Sequence, residues 1–267
     1  MNNTTGEFIN STVIDTTLNV FLCPSTPPPS WAIPSGVGLL QNGSPDAPGC
    51  SYFGSLGSSL EFDGSQASPP NGVIMYCGRL TTATPNTTNI TSIGLQSITD
   101  GTSNTIAFGE WKIGSGNLNT FTSPTDIIFV GSSPAGTSRT ISGSYNMPNP
   151  ILVASFPAWL QTCAADLTVA GTRNAHTPLL GLSWSMGLPG ATMGNLLQGP
   201  NPNYPNCSTN SSLGWPGMWG LSSFHPGGAN VVFCDGSVHF VKNSISNPTL
   251  WALGSRNQGE IIDSSSY

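Results

Sequence analysis

The chain has 267 residues, of which only 7% are charged, and its formal net charge at pH 7 is −6. A typical soluble domain carries about 25% charged residues. The six basic residues are spread between Arg79 and Arg256 without forming a patch, which argues against nucleic-acid binding and polybasic membrane docking. No run of about 18 apolar residues occurs, so the sequence predicts no membrane span.

The low charge has two interpretations. Residues 174–234 contain no Asp, Glu, Lys or Arg, whereas Ser, Thr, Asn and Gly are abundant. Neutral polar groups could solvate an extracellular protein, or copies of the chain could cover most of the surface of one another. The N-terminal residues lack a basic region followed by an apolar one, so we expect a mature or truncated ectodomain outside the cytoplasm.

The first half of the chain has the pattern of strands joined by long loops. Residues 12–22 alternate and end at Cys23-Pro24, which predicts a strand. A Pro-rich loop follows over 24–50, with polyproline II expected at Pro27-Pro28-Pro29. Short apolar or β-branched runs predict two further strands, at Val73–Cys77 and Ile127–Val130. A loop is expected over 112–126, before the second of these strands.

Only two segments of the second half indicate helix. Residues 157–167 begin with Pro157 in the first turn and place Trp159, Leu160 and Cys163 on one face. Residues 247–254 offer Asn247 as N-cap, then a proline, and end in a glycine. A long loop over 185–222 separates the two helices.

Residues 224–242 predict a β-hairpin. Ala229 to Cys234 is a β-branched and aromatic run, and Ser237 to Val241 alternates as a return strand. Between them, Asp235-Gly236 suits a type I′ turn, in which both central residues have positive φ. The whole pattern predicts one α+β domain over 1–267, mostly antiparallel sheet with long loops and one or two short helices, and with the hairpin 229–241 inside the main sheet.

The segment Asp100-Gly101-Thr102-Ser103-Asn104 has two interpretations. As a tight turn, Asp100 caps it and Asn104 bonds nearby backbone. As a calcium loop, Asp100 and Asn104 would supply oxygens together with backbone carbonyls and Glu110. The segment has far fewer carboxylates than an EF-hand loop, which favours the turn. We therefore predict no required cofactor, with calcium as the one candidate.

Four stretches together resemble the bacterial prepilin-like (pseudopilin-type) proteins with a C-terminal His-x9-Asp-Gly motif. His225 and Asp235-Gly236 match that motif. The other three stretches follow the same order in the chain: Cys23-Pro24-Ser25, the Asp100–Thr105 segment with Gly109-Glu110, and Trp251–Arg256 with the later Gly259–Ile262. The defining N-terminal helix of that family is absent, so we expect either that it was removed or that assembly uses other contacts.

The resemblance implies a pilin-like globular headgroup that serves as a structural subunit of an extracellular or cell-envelope filament, with copies of itself as partners. Two alternatives stay open. One is a secreted carbohydrate-binding or adhesin-like module that binds surface glycans through exposed Trp215 and Trp219, although these side chains and Trp184 are also good core residues. The other is a secreted hydrolase, for which paired carboxylates are lacking: Glu61 and Asp63 are the only acidic residues two apart.

Six cysteines without a Cys-x-x-Cys pair argue against zinc and indicate disulfides formed outside the cytoplasm. The resemblance favours Cys163–Cys207, because related proteins carry a cysteine in both places. Cys50–Cys77 is the next candidate as a pair of neighbours in sequence, and Cys23–Cys234 is the remaining one. Cys23 and Cys234 could instead be buried thiols.

The histidines predict no catalytic or metal role. An extended hairpin would hold His225 and Asp235 about 20–30 Å apart, too far to share a proton. We expect His225 to bond a backbone carbonyl at the hairpin entry, and His176 and His239 lack metal-ligand spacing. Asn-x-Ser/Thr sequences mark candidate glycosylation sites at Asn42, Asn86, Asn89, Asn206 and Asn210.

Overall fold

The computed structural model describes residues 13–31, 47–77, 92–166, 176–210, 214–260 and residue 262. It confirms an α+β fold in which most strand pairs are antiparallel. The main sheet has five strands in the order β5-β1-β2-β8-β9. Their bounds are Tyr52–Ser55 (β1), Ile106–Glu110 (β2), Met193–Gly194 (β5), Gly228–Phe233 (β8) and Val238–Lys242 (β9). Only β5 pairs in parallel, with β1.

A second, smaller sheet has the order β4-β3-β6-β7. Its strands are Ile127–Phe129 (β3), His176–Thr177 (β4), Asn206–Ser208 (β6) and Gly217–Met218 (β7). The β3–β6 pair is parallel, and the others are antiparallel. The strand predicted at Ile127–Val130 is therefore confirmed, ending one residue early.

Helix α1 spans Pro150–Ala165, so it begins seven residues before the predicted start. Asn149 is the true N-cap, because its side chain accepts a hydrogen bond from Ile151 N at 3.0 Å, and Pro150 follows in the first turn. Pro157 consequently lies inside the helix, which costs about 3 kcal/mol. Burial offsets that cost, at roughly 1.5–3 kcal/mol per large side chain, through Leu152, Phe156, Trp159, Leu160 and Cys163.

Helix α2 spans Asn247–Gly254, as predicted, but its N-cap is one residue earlier. The Ser246 hydroxyl accepts a hydrogen bond from Thr249 N at 3.2 Å, so Asn247 is already the first helical residue. Among the described residues, no helix combines the length and the apolar character that a bilayer span requires.

Two predicted strands are wrong. Residues 13–22 contain a short 3-10 helix, Asn19–Phe21, and contact the main sheet through a hydrogen bond from Ser51 N to Phe21 O of 2.8 Å. Residues 73–77 make only an isolated bridge between Asp63 and Tyr76. Among the described residues, residues 13–22 have no partner strand. Residues 73–77 bond neighbouring backbone at separate points, such as Ile74 N to Ser55 O at 3.0 Å, so their local β-propensity does not produce a strand.

The hairpin of β8 and β9 is confirmed, but its turn is not type I′. Gly236 has φ +87°, whereas among the described non-glycine residues only Asn201 has a positive φ, so Asp235 does not. Gly236 N bonds Phe233 O at 3.0 Å, and Phe233 N bonds Ser237 O at 2.9 Å. The loop therefore has three residues, Cys234–Gly236, with glycine in the single left-handed position. The hairpin ends the sheet, with β8 inside it and β9 at its edge.

The core lies in two main clusters. The larger lies against the inner face of the main sheet and includes fully buried Phe53, Trp111 and Trp219. The second surrounds α1 and contains Leu152, Trp159 and Cys163. Both clusters leave the opposite, outer face of the main sheet uncovered at several positions, and the candidate site lies there.

Candidate functional site

A cleft of about 750 Å³ lies on the outer face of the main sheet. Strand residues alternate between faces, so Phe53, Val231 and Phe233 point into the core while their neighbours point outward. The outward side chains Tyr52, Phe108, Glu110, Asn230, Val232 and Val238 line the cleft, together with Cys23, Pro24, Ser25 and His225 at one end.

Three side chains from distant parts of the chain meet at that end. The distance from Cys23 Sγ to His225 Nε2 is 3.6 Å, and that from His225 Nε2 to Glu110 Oε2 is 3.7 Å. Ser25 Oγ lies 3.0 Å from Cys23 Sγ and 3.5 Å from His225 Nε2. The donor atoms of Cys23, Glu110 and His225 all lie within 4.8 Å of one another, which would allow them to hold a metal ion. We call these three residues the Cys-Glu-His cluster.

Local structure places each member of the cluster. Cys23 opens a turn in which Thr26 N bonds its carbonyl at 2.9 Å, so the thiol and the Ser25 hydroxyl face the same side. His225 precedes β8, and its own N–H bonds Ser223 Oγ at 3.0 Å. The next residues, Pro226-Gly227, turn the chain into β8 with Gly227 at φ +86°. The imidazole thus lies close to the start of β8, with 34% of its side chain exposed.

Glu110 is the buried carboxylate of the cleft. Its Oε1 accepts hydrogen bonds from Asn230 N at 2.6 Å and from Asn230 Nδ2 at 3.2 Å. Oε2 is left facing His225. Beside it, burial raises the pKa of the Tyr52 phenol, and the nearby Cys23 and Glu110 raise it further. The cluster end of the cleft therefore places a buried carboxylate and a buried thiol next to a phenol whose pKa is raised.

The geometry does not match a nucleophile–base–carboxylate relay. In such a relay the histidine uses one ring nitrogen for the nucleophile and the other for the orienting carboxylate. Here the thiol, the Ser25 hydroxyl and the Glu110 carboxylate all approach the same nitrogen, Nε2. The three side chains therefore surround one nitrogen atom, and they do not form a consecutive series of hydrogen bonds.

The Asp100 turn lies outside this cleft. Its carboxylate accepts hydrogen bonds from Gly259 N at 2.8 Å, Gln258 N at 2.8 Å and Ser255 Oγ at 3.0 Å. Asn104 Nδ2 donates to Asp100 O at 3.2 Å, and Gly101 has φ +96°. Asp100 and Asn104 are thus together as predicted for a turn. Glu110, the proposed third side-chain ligand of a calcium ion, lies in the cleft instead.

The two ends of the His-x9-Asp-Gly motif have different environments. The Asp235 carboxylate accepts hydrogen bonds from Ser237 N and Ser237 Oγ, at 2.9 and 2.6 Å. Asp235 N bonds Thr102 O at 3.1 Å, which ties the hairpin turn to the Asp100 segment. The predicted carbonyl bond of His225 is wrong, because its neighbours are the side chains of the cluster.

The other histidines lie apart from the cleft. His176 is buried, with its Nε2 3.3 Å from Asn117 O. His239 is exposed on β9, where its ring packs edge-on against Phe233. No local pattern in the sequence predicts the cluster. Cys23, Glu110 and His225 belong to three different motifs of the family pattern, and these motifs are far apart in the chain.

The favoured disulfide is confirmed, and the other two candidate pairs, Cys50–Cys77 and Cys23–Cys234, are not formed. Cys163 in α1 and Cys207 in β6 are joined, with Cα atoms 6.0 Å apart. The remaining four cysteines are free thiols. Cys50 is buried and donates to Tyr52 O, and burial raises its pKa to about 11, whereas Cys77 is exposed. Cys23 lies in the cleft, and Cys234 lies in the hairpin turn, where burial raises its pKa to about 11.

The predicted glycosylation sites and the tryptophans of the predicted sugar-binding surface differ in their solvent exposure. Asn206 is buried with both side-chain atoms bonded, to Pro124 O and Gly220 N, so that glycosylation prediction is wrong. Asn210 is half-buried. Asn42, Asn86 and Asn89 lie outside the described residues. Trp219 is fully buried, which removes it from the predicted sugar platform, whereas Trp215 is 41% exposed.

The acidic pair two residues apart is structural. Glu61 is fully buried, and Arg139 donates to both of its oxygens at 2.7 and 2.8 Å. Asp63 lies 3.7 Å from the same guanidinium. The pair therefore has its charge compensated inside the fold rather than in a cleft.

The comparisons with known proteins give one match. No curated protein and no solved structure matches the chain. Residues 2–247 match the family described as "Protein of unknown function (DUF1559)". Since this match covers most of the sequence, the chain belongs to the DUF1559 family.

Proposed function

We propose that the chain is a structural, non-catalytic subunit, the pilin-like globular head of a filament that assembles from copies of itself outside the cytoplasm. The observation that carries the proposal is a pair of exposed apolar surfaces on different elements. A head-to-tail contact joins two different surfaces of neighbouring copies, and repetition of that contact makes a filament.

The first surface, which we call the sheet patch, consists of Phe108, Val238 and Phe240. These side chains are 46%, 65% and 42% exposed. They come from β2 and β9, and β9 is the edge strand of the main sheet. An apolar face beside an open strand edge is a common site of association between protein chains.

The second surface, which we call the helix patch, is the exposed N-terminal turn of α1 together with the segment before it. It carries Ile141, Ile151 and Val153, and Ile151 and Val153, being two residues apart, lie on different sides of the helix. These side chains are 45%, 47% and 38% exposed. Two of them lie in the first turn of α1, which the Cys163–Cys207 disulfide joins to the smaller sheet. The helix patch therefore belongs to a different layer of the fold from the sheet patch.

The charge and cysteine content support the same proposal. With only 6 basic and 12 acidic residues, stacked copies repel one another weakly. The Cys163–Cys207 disulfide supports a compartment outside the cytoplasm, because cytoplasmic thiols are kept reduced.

The experiment compares Phe240→Ser with Leu95→Ser. Leu95 is 72% exposed in a 3-10 turn outside both patches. Leu95→Ser is therefore a matched control, because it also replaces an exposed apolar side chain by serine. We expect wild type and Leu95→Ser to form polymers that sediment rapidly and appear as filaments in electron micrographs. Phe240→Ser should weaken assembly at least tenfold while leaving the unfolding midpoint unchanged.

Two outcomes would count against the proposal. One is a wild-type chain that stays monomeric at high concentration. The other is an equal loss of assembly in both variants, which would indicate nonspecific hydrophobic association rather than a contact through the sheet patch.

A further inference from the structure

We propose that Cys23, Glu110 and His225 form a mononuclear zinc site, with a fourth coordination position open toward the cleft. The basis is the convergence of a thiol sulfur, an imidazole nitrogen and a carboxylate oxygen within 4.8 Å of one another. The inference is independent of filament assembly and goes beyond it.

The donor set suits zinc better than harder cations. Zn²⁺ binds thiolate, imidazole and carboxylate together, whereas Ca²⁺ and Mg²⁺ take oxygen ligands. A zinc ion with one thiolate and one carboxylate forms a site of no net charge. That balance matters here because Cys23 and Glu110 are only 5% and 3% exposed.

Two of the three distances between the donor atoms are close to those around a tetrahedral ion. Bonds of about 2.3 Å to sulfur and about 2.0–2.1 Å to nitrogen at a tetrahedral angle place the two donors about 3.5–3.6 Å apart. The Cys23 Sγ to His225 Nε2 distance is 3.6 Å. The corresponding nitrogen-to-oxygen edge is about 3.3 Å. His225 Nε2 and Glu110 Oε2 are 3.7 Å apart, about 0.4 Å longer than that distance, and a shift of the partly exposed imidazole would shorten it.

The approach of every donor to Nε2 distinguishes a metal site from a catalytic relay. An ion bound at Nε2 has sulfur and carboxylate ligands beside that same nitrogen, as Cys23 and Glu110 are here. A relay would place the carboxylate at the opposite nitrogen.

The surrounding hydrogen bonds orient the ligands as outer-shell partners do in metal sites. Asn230 holds Oε1 of Glu110 through two donors, so Oε2 remains directed toward the ion. Ser25 Oγ lies 3.0 Å from Cys23 Sγ and can donate to a thiolate. The fourth position faces the apolar cleft walls formed by Phe108, Val232 and Val238, where water or an oxygen donor of a small ligand would bind.

The test uses the purified chain, freed of metal by a chelator and titrated with Zn²⁺ in a calorimeter. Co²⁺ serves as a coloured probe, because a cobalt–thiolate bond gives a charge-transfer absorption. We expect one ion per chain, a cobalt–thiolate band, and a higher unfolding midpoint with zinc. Cys23→Ser and His225→Gln should each weaken zinc binding at least 100-fold, and Cys23→Ser should abolish the band.

Two control variants separate the site from adventitious binding. Cys77 is an exposed free thiol and His239 is an exposed imidazole, and neither lies in the cleft. Cys77→Ser and His239→Gln should therefore bind zinc like wild type. If Cys23→Ser fails to fold, His225→Gln decides the matter, since that side chain is the most exposed of the three.

The inference is overturned if the folded wild type binds no zinc at one ion per chain. It is also overturned if Cys77→Ser or His239→Gln loses binding as strongly as the cluster variants. Zinc binding is measured on unassembled protein. A chain that binds no zinc therefore leaves the filament proposal unaffected, and a chain that does not assemble leaves the zinc proposal unaffected.

Discussion

The buried charge of Glu61 shows how single residues stabilise this sparsely charged chain. Its carboxylate accepts hydrogen bonds from Phe62 N and Asp63 N, at 3.0 and 3.1 Å, besides the two from Arg139. The Arg139 side chain is 22% exposed, and its guanidinium also lies over the Phe62 ring. Removing one partner of such a pair leaves an uncompensated buried charge.

Arg139→Met is therefore expected to lower the free energy of unfolding by about 3 kcal/mol, the low end for a broken buried pair because Arg139 is partly exposed. Urea denaturation measures this loss. The double variant Glu61→Gln with Arg139→Met removes both charges and should recover part of it. A loss under about 1 kcal/mol in the single variant would mean that the pair behaves like a surface ion pair.

For single residues, the sequence indicated which side chains were candidates but not which other side chains they contact. Glu61 and Asp63 are visible as an acidic pair, yet their counter-ion comes from a distant turn. In the same way, Cys23, Glu110 and His225 each belong to a motif, but no local pattern brings the three motifs together. Long-range packing decides such contacts, and a single sequence carries no direct record of it.

At the scale of elements, local chemistry predicted well where short-range interactions decide the structure. The hairpin, helix α2 and β3 are all present. The turn type was wrong because the Asp235 carboxylate binds Ser237, and the backbone of Cys234 and Asp235 binds Thr105 and Thr102. These contacts select a three-residue loop, in which only Gly236 needs positive φ.

The errors elsewhere have a common cause. The strand predicted over 12–22 has the right alternation but no partner strand among the described residues. Helix α1 begins earlier than predicted because Asn149-Pro150 offers a better start than Pro157, and an interior proline is tolerated where five large side chains are buried. Tertiary packing thus decides whether residues 12–22 form a strand and whether Pro157 is tolerated inside α1.

The hairpin turn gives a prediction with a closely matched control. A Cβ at Gly236 or at Gly220 would meet no atom within 4 Å, but only Gly236 has a left-handed φ, +87°. Gly236→Ala should therefore lower the free energy of unfolding by about 1–2 kcal/mol through backbone strain alone. Gly220→Ala should be neutral or slightly stabilising. Thermal unfolding of both variants measures the difference.

Asp235→Asn belongs to the same series of variants. It should change the free energy of unfolding only slightly, because the amide oxygen can still accept hydrogen bonds from Ser237. An equal loss of stability in Gly236→Ala and Gly220→Ala would contradict the assigned turn. A loss of function in Asp235→Asn with unchanged unfolding would instead assign a chemical role to the carboxylate.

At the scale of the whole molecule, the fold presents several of its exposed apolar side chains on β2 and the edge hairpin, and others at the start of α1. The inner faces of the sheets are filled by large aromatic residues, and a disulfide joins α1 to the smaller sheet. A rigid body with few charges and two apolar surfaces is suited to repeated contact with its own copies. Phe108 and Val238 of the sheet patch also line the cleft, so metal binding in the cleft and assembly through the patch can be compared on one face.

The most direct test of the filament proposal is a cryo-electron microscopy reconstruction of the assembled chain. The account predicts a helical polymer in which the sheet patch of one copy, Phe108, Val238 and Phe240, contacts the helix patch of the next. A polymer in which both patches face solvent would contradict the proposed contact. A chain that remains monomeric at every concentration imaged would contradict the filament role itself.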